Sequence, residues 1–236
     1  MKAMRSFADQ PQSPAASRPY PWMSWPWLFS LLAILLVPLL DGCGKPPMLV
    51  HRYILDYPAP VLAPQAKIPA AIMVKQFSVA QAFNTNAMVY QPQPFRSETY
   101  NYSRWRVNPG YLVSDYLLRD LRQAHLFRAV YGPETTSRFR FQLEGTVDDF
   151  QELDEPGGWQ AVLGLTVTLV DVSQEKLPRR VVFQKNYRAV EPMPEKTPQG
   201  LAQAMSQAMA RLSSRIITDT AQAARRRTTR PRPAAP

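Results

Sequence analysis

One cysteine, Cys43, and two histidines, His51 and His125, are all that 236 residues hold of the side chains most used in covalent and metal chemistry. A single thiol rules out an intramolecular disulfide, so any exported domain must fold on its apolar core alone. Two isolated histidines, neither beside a serine, cysteine or carboxylate at a catalytic spacing, make a weak metal site. The nine glycines form neither a phosphate-cradling loop nor a nucleophile elbow. These absences point to a non-enzymatic protein with no cofactor.

What the chain does have is one apolar run, Trp27 to Leu40 (WLFSLLAILLVPLL), ending in Leu40-Asp41-Gly42-Cys43-Gly44. The run has the length of a secretory signal core, and small residues flank the cysteine as signal cleavage requires. The arrangement is that of a bacterial lipoprotein signal, in which Cys43 is acylated (a palmitate-type chain) and becomes the mature N-terminus. Asp41 stands where a small or weakly apolar residue is usual, and the segment before the run is long. The competing reading is an uncleaved anchor, since Pro19 to Leu40 carries no charge and a spanning helix needs about 20 apolar residues. Pro21, Pro26 and Pro38 interrupt such a helix. Both readings export the rest of the chain, because the positive charges lie on the N-terminal side.

The formal charge of +10 is misleading about the folded part. Lys2, Arg5 and Arg18 sit in the leader, and Arg225, Arg226, Arg227, Arg230 and Arg232 sit in the C-terminal tail. Without these, and without Asp9 and Asp41, 20 basic and 16 acidic residues remain, a net +4. Nucleic-acid binding thereby loses its electrostatic basis. The expected organisation is a signal peptide over 1–42, a proline-rich tether over 43–69 holding one short edge strand, a single domain over 70–224, and a disordered basic tail over 225–236. That tail suits anionic lipid headgroups or an acidic partner, and a solvated tail without a dedicated role fits its composition equally.

Within the domain, Arg52-Tyr53-Ile54-Leu55 reads as the edge strand, with Pro58, Pro60, Pro64 and Pro69 blocking its extension. Ala70 to Val79 reads as a second strand, Met88-Val89-Tyr90 begins a third, and Ser97 to Arg106 is its hairpin partner. Asn108-Pro109 is a cap followed by a first-turn proline, opening a helix to about Ala124 with a stripe of Val113, Leu117, Leu121 and Ala124. Phe139 to Phe150 and Trp159 to Leu169 alternate apolar and polar residues, the mark of strands with one buried face. Gln151 to Gly158 reads as their polar loop, and Val181 to Val190 as one more strand. Thr197-Pro198 repeats the cap and starts a helix to about Ala223, with Leu201, Met205, Ala208 or Met209, Leu212 and Ile216 on one face. The fold class is α/β: a single domain with a mixed or antiparallel β-sheet and two main helices packed on it.

The acidic group Asp148, Asp149, Glu152, Asp154 and Glu155 could hold a hard cation, but it lacks calcium-loop spacing and reads better as a solvated loop protecting strand edges. His125, near a helix C-terminus, is a favourable dipole partner. Tyr90, Tyr100, Trp105 and Trp159 are the candidate partner-contact residues, because Tyr and Trp are enriched at interfaces. Core packing is the competing role for each.

Taken in order, Cys43, Tyr53-Ile54-Leu55, Met88-Val89-Tyr90, Tyr100 with Trp105, Pro109 before a leucine-bearing helix, Phe150 ending an alternating strand, and the alanine-rich helix from Leu201 resemble the ABC-type transport auxiliary lipoproteins. Paraquat-inducible protein C is a relative in that family. The resemblance implies a non-catalytic lipoprotein that engages a mammalian-cell-entry (MCE) domain protein in an intermembrane lipid transport system. It also implies a periplasm-facing domain, anchored by lipid on Cys43 to the outer membrane, with homo-oligomers among its members. Gly44, in place of an aspartate after the cysteine, agrees with outer-membrane sorting; inner-membrane anchoring is the alternative. The competing functions are an outer-membrane assembly lipoprotein, serving lipopolysaccharide or porin insertion, and an envelope hydrolase.

Overall fold

A computed structural model of the chain describes residues 48–63 and 65–229. The expected signal peptide, Cys43 and the end of the expected tail lie outside these residues. The chain opens with β1 (His51–Tyr53), β2 (Ile68–Val74), β3 (Ser78–Val79), a 3-10 turn at Gln81–Phe83, β4 (Ala87–Gln93) and β5 (Arg96–Trp105). Helix α1 (Pro109–Gln123) and β6 (Phe127–Tyr131) follow, then the long strands β7 (Phe141–Glu155) and β8 (Gly158–Asp171). A one-turn helix α2 (Leu177–Arg180) leads into β9 (Val181–Pro192), and α3 (Pro198–Thr229) completes the domain.

The sheet is organised on β7. Along one edge, β2 pairs with its start (Ile72 opposite Phe141), β3 with its middle (Val79 opposite Val147) and β4 with its end (Tyr90 opposite Glu152), all parallel. Along the other edge β8 pairs antiparallel from Phe141–Asp171 to Glu155–Gly158, and β9 pairs antiparallel with β8. Beyond β4 lies β5, antiparallel, and beyond β5 the parallel edge strand β1; β6 borders β2. This is the mixed sheet that the alternating patterns imply.

A bulge between Val147 and Asp149 of β7 shifts the inward set by one residue. Phe141, Leu143 and Val147 face the core before it, and Phe150 and Glu152 after it, which is why strict alternation lapses there. From β8, Ala161, Leu163, Leu165, Val167 and Leu169 enter the same core. Both helices cover it. Asn108 caps α1 by accepting from the Gly110 N–H at 3.0 Å, and Thr197 caps α3 by accepting from the Gly200 N–H at 3.0 Å. Val113, Leu117 and Leu121 of α1, and Leu201, Met205, Ala208, Met209, Leu212 and Ile216 of α3, are all buried.

Several boundaries differ from the sequence reading, each for a local reason. Ala70 to Val79 is two strands, because Phe77 leaves the ladder, takes a hydrogen bond from its N–H to Ser114 Oγ (2.8 Å) and lies over Gly145. A Cβ at Gly145 would sit 2.5 Å from that ring. Pro69 is inside β2 rather than ahead of it, tolerated at a register shift between Ile68 and Ala71. Gln151 to Gly158 is mostly strand, closed by a turn at Pro156-Gly157. β6, too short to show a period, went unread. His125 follows α1 with φ 51, the left-handed position that usually ends a helix with glycine.

The helix α3 runs through Arg225 to Thr229, so the disordered tail cannot begin at Arg225. Composition argued for disorder of an isolated segment, but a long packed helix supplies the nucleus and each added residue costs little. Ala224 is buried, and the Arg227 carbonyl accepts from Arg140 Nη2 at 3.1 Å.

Trp105, at 1% exposure, is part of the core, its ring edge-on to Phe150 with centroids 5.0 Å apart. It is therefore removed from the partner-contact candidates. Trp105→Ala is expected to cost about 3–5 kcal/mol of unfolding free energy by urea denaturation. A loss under about 1 kcal/mol would contradict this packing role.

Candidate functional site

Two hairpins end side by side. β4 and β7 are parallel neighbours, so the Pro94-Phe95 turn leading into β5 and the Pro156-Gly157 turn leading into β8 lie at the same end of the sheet. β9 finishes there too, with Pro192 opposite Gln160, and Met193 N–H bonds the Trp159 carbonyl at 2.8 Å. Phe95 is fully exposed and has φ 67. A proline followed by a positive-φ residue is the type II arrangement, in which glycine normally fills the place Phe95 holds. Trp159, 38% exposed, stands opposite Asp154 at the start of β8.

Beneath this end is a polar cluster on the core side of the sheet. Tyr100 Oη donates to Glu152 Oε2 at 2.8 Å, and Tyr90 Oη donates to Glu98. The two tyrosine rings lie 5.0 Å apart. Lys196, in the turn before α3, donates to Asp154 and stands 5.8 Å from the Tyr90 ring. Glu152 is fully buried, and among the described residues neither its Oε1 nor Asp154 Oδ1 receives a donor. Burial pushes the Glu152 carboxyl up to about 7, the Tyr100 bond opposing and Asp154 reinforcing the shift. A proton held by Glu152 makes these two oxygens partners of each other, which removes an uncompensated buried charge.

The acidic group is thus neither a loop nor a cation cage. The carboxylates are divided between the two faces of the sheet: Asp148 accepts from Thr166 Oγ1 at 2.6 Å, while Glu152 and Asp154 turn inward. Among the described residues, no group of three or more His, Cys, Asp or Glu is placed to hold a metal ion. His51, on β1, and His125, in the turn after α1, are both exposed.

Of the partner-contact candidates, Tyr90, Tyr100 and Trp159 come together at this one end, and Trp105 does not. The hydroxyls of Tyr90 and Tyr100 are committed to carboxylates within the chain, which leaves Trp159 as the one of the four with an open face. Cys43 lies outside the described residues. The residue missed in the sequence is Phe95; its signal was a Pro-Phe pair between two strands where a turn calls for Pro-Gly.

A second buried carboxylate fixes the incoming chain. Asp120 of α1 accepts from Tyr57 Oη at 2.8 Å, from Ser213 Oγ of α3 at 2.5 Å and from Arg119 Nε at 2.8 Å. Burial first, and then the Asp120 charge, pushes the Tyr57 phenol up. Tyr57 stacks on Tyr116 at 5.2 Å with Arg119 4.5 Å from both rings, Tyr116 Oη bonds the Leu55 carbonyl, and Asp56 N–H bonds Ser206 Oγ at 2.9 Å. The segment after β1 is therefore tied to both helices. Among the described residues, no helix is long and apolar enough to cross a membrane.

The Glu152 site sets a pH dependence. Its folded value is raised from an ordinary 4.5 to about 7, so between those values the folded state alone holds the proton. The stabilisation is whole below about 4.5 and is lost as pH climbs through about 7. Glu152→Gln, which can donate permanently to Asp154, is expected to flatten that slope and to be about 1–3 kcal/mol more stable than the parent at pH 8. Urea melts at pH 5, 6, 7 and 8 would check it, and parallel pH profiles for the two proteins would refute it.

The fold and its sequence now bear comparison with known proteins. The chain has the fold of a Xanthomonas campestris protein, XCC0632, of family DUF330: TM-score 0.69, 15% identity, covering 77% of this chain and all of that one. A second solved structure, of an uncharacterised protein, matches with TM-score 0.57 and 15% identity over 72% of this chain and 98% of its own. No curated protein matches in sequence. The family model for the ABC-type transport auxiliary lipoprotein component matches residues 53–217, from the end of β1 to well inside α3. The chain therefore belongs to the ABC-type transport auxiliary lipoprotein family.

Proposed function

We propose that this protein is the non-catalytic, lipid-anchored component of an MCE-type ABC system that moves phospholipid between membranes. An acyl group on Cys43 holds it to the outer membrane, and its folded domain docks onto an MCE-domain partner in the periplasm. ATP hydrolysis belongs to a cytoplasmic partner. The observation that carries this reading is the extent of the family match, which takes in nearly the whole folded unit. The buried polar groups support it: Asp120 and Glu152 are spent on holding strands and helices together, as befits a scaffold whose surface does the work. Outer-membrane assembly, the other non-catalytic reading, has no comparable support from any one feature.

Residues 70–106 supply most of β2 and all of β3, β4 and β5, so docking is tested on the whole chain rather than by deletion. The acylated protein, immobilised, should retain an MCE-domain protein of the same cell envelope with a dissociation constant in the micromolar range or tighter (about −8 kcal/mol). Failure to retain it, with acylation of Cys43 verified by mass spectrometry, would refute the docking role. An intact leader with a free Cys43 thiol would refute the anchor.

A further inference from the structure

We infer that the double-hairpin end of the sheet, led by Phe95 and Trp159, rests on the bilayer that holds the protein's lipid anchor. This rests on the acylated Cys43 of the proposed function and adds to it an orientation and a contact surface.

The first observation is Phe95 itself. A bulky side chain at positive φ is disfavoured, and a type II turn would accept glycine there without strain. Fully exposed, the ring gains no packing against the described residues in return. Strain retained without an internal gain points to an external contact. Trp159 shares the same end of the sheet, and aromatics of this kind favour the boundary between water and hydrocarbon.

The second observation is the path of the chain. β5 runs from the hairpin tip at Arg96 inward to Trp105, and β1 lies parallel to it with His51 opposite Ser103. The chain ahead of His51 is therefore directed back toward the tips, and its last described residues, Met48, Leu49 and Val50, are apolar and exposed.

The third is length. Through the pairs Ala87–Arg104 and Tyr90–Glu152, the start of β1 is level with the neighbourhood of Phe150 on β7. From there the hairpin end at Glu155 is about 17 Å away and the opposite end at Phe141 about 30 Å, at roughly 3.3 Å per residue. Covalent geometry limits the span from Cys43 to His51 to about 28 Å even when fully extended. The tether reaches the hairpin end with length to spare. The opposite end lies near the limit of its fully extended span, and reaching it would require the chain to double back on itself.

The bilayer, rather than a protein, is the occupant this geometry favours, because the short tether keeps it within reach at all times. The test uses the full-length acylated protein in phosphatidylcholine vesicles with brominated acyl chains. With Cys43 acylated, an introduced cysteine is the one free thiol. An environment-sensitive dye is attached in Ser97→Cys, next to the tip, or in Arg226→Cys, near the far end of α3. Dye at 97 should be quenched about two- to threefold more strongly than dye at 226. Adding Phe95→Ser and Trp159→Ser should abolish the difference, with circular dichroism unchanged.

Equal quenching at both positions would overturn the proposal. Dye at 97 that stays exposed in vesicles but becomes protected when the MCE-domain protein is added would also overturn it, assigning this end to the protein partner while leaving the proposed function standing. Failure of the protein to float with the vesicles at all would remove the anchor and both readings with it.

Discussion

The pairing of β7 with β8 is the constraint from which the rest of the architecture follows. Its ladder runs from Phe141–Asp171 to Glu155–Gly158, and it leaves the other edge of β7 open along its whole length. β2, β3 and β4 share that edge one after another, all in one direction. Because they arrive in sequence order along a single strand, each connection is short, and Phe77 can turn inward between β2 and β3 without breaking the sheet. The parallel placement of β4 beside β7 then puts both hairpin turns at the same end. No local feature of either turn specifies that.

Two buried carboxylates stabilise this arrangement in different ways. Asp120 collects Tyr57, Ser213 and Arg119, so one side chain ties the segment after β1 to both helices. Its charge is compensated by donors, as burial requires. Among the described residues Glu152 lacks that compensation at one oxygen, and burial raises its carboxyl so that it keeps a proton to higher pH than an ordinary carboxylate does. The first network fixes where the chain enters the domain, and the second keeps the hairpin end closed under Phe95 and Trp159. Removing a buried partner from either would be expected to loosen the end it serves before the core as a whole.

Membership of an auxiliary lipoprotein family and a domain whose buried carboxylates Asp120 and Glu152 serve internal contacts fit together. In the arrangement proposed above, the entry strand β1, held in place by the Asp120 network a few residues later, would turn a short tether into an orientation. A longer or freer linker would leave the domain indifferent to which end met a surface. The effect of an anchor on Cys43 would then depend on the register of β1 against β5 as much as on the lipid.

The elements with strong periodicity were legible in the sequence. Leu117 and Leu121, Met205 and Leu212, and the alternating positions of Leu163 to Leu169 announced their buried faces, and Asn108-Pro109 and Thr197-Pro198 announced the helix starts, because capping and amphipathicity are local properties. Composition placed the excess charge toward the two ends of the chain, although Arg225, Arg226 and Arg227 belong to α3. What lay beyond the sequence was whatever depends on neighbours distant along the chain. The bulge at Val147–Asp149, which turns Glu152 inward, exists only against β8. The helical state of Arg225 to Thr229 depends on the packed turns before it. Trp105 and Trp159 have the same chemistry, yet one is sealed against Phe150 and the other stands open at the sheet end. Phe95 became notable only once its φ and its exposure were known. Hydrophobic pattern determined which residues would be buried, whereas strand order and register, set by long-range pairing, decided which of the remaining side chains share a surface.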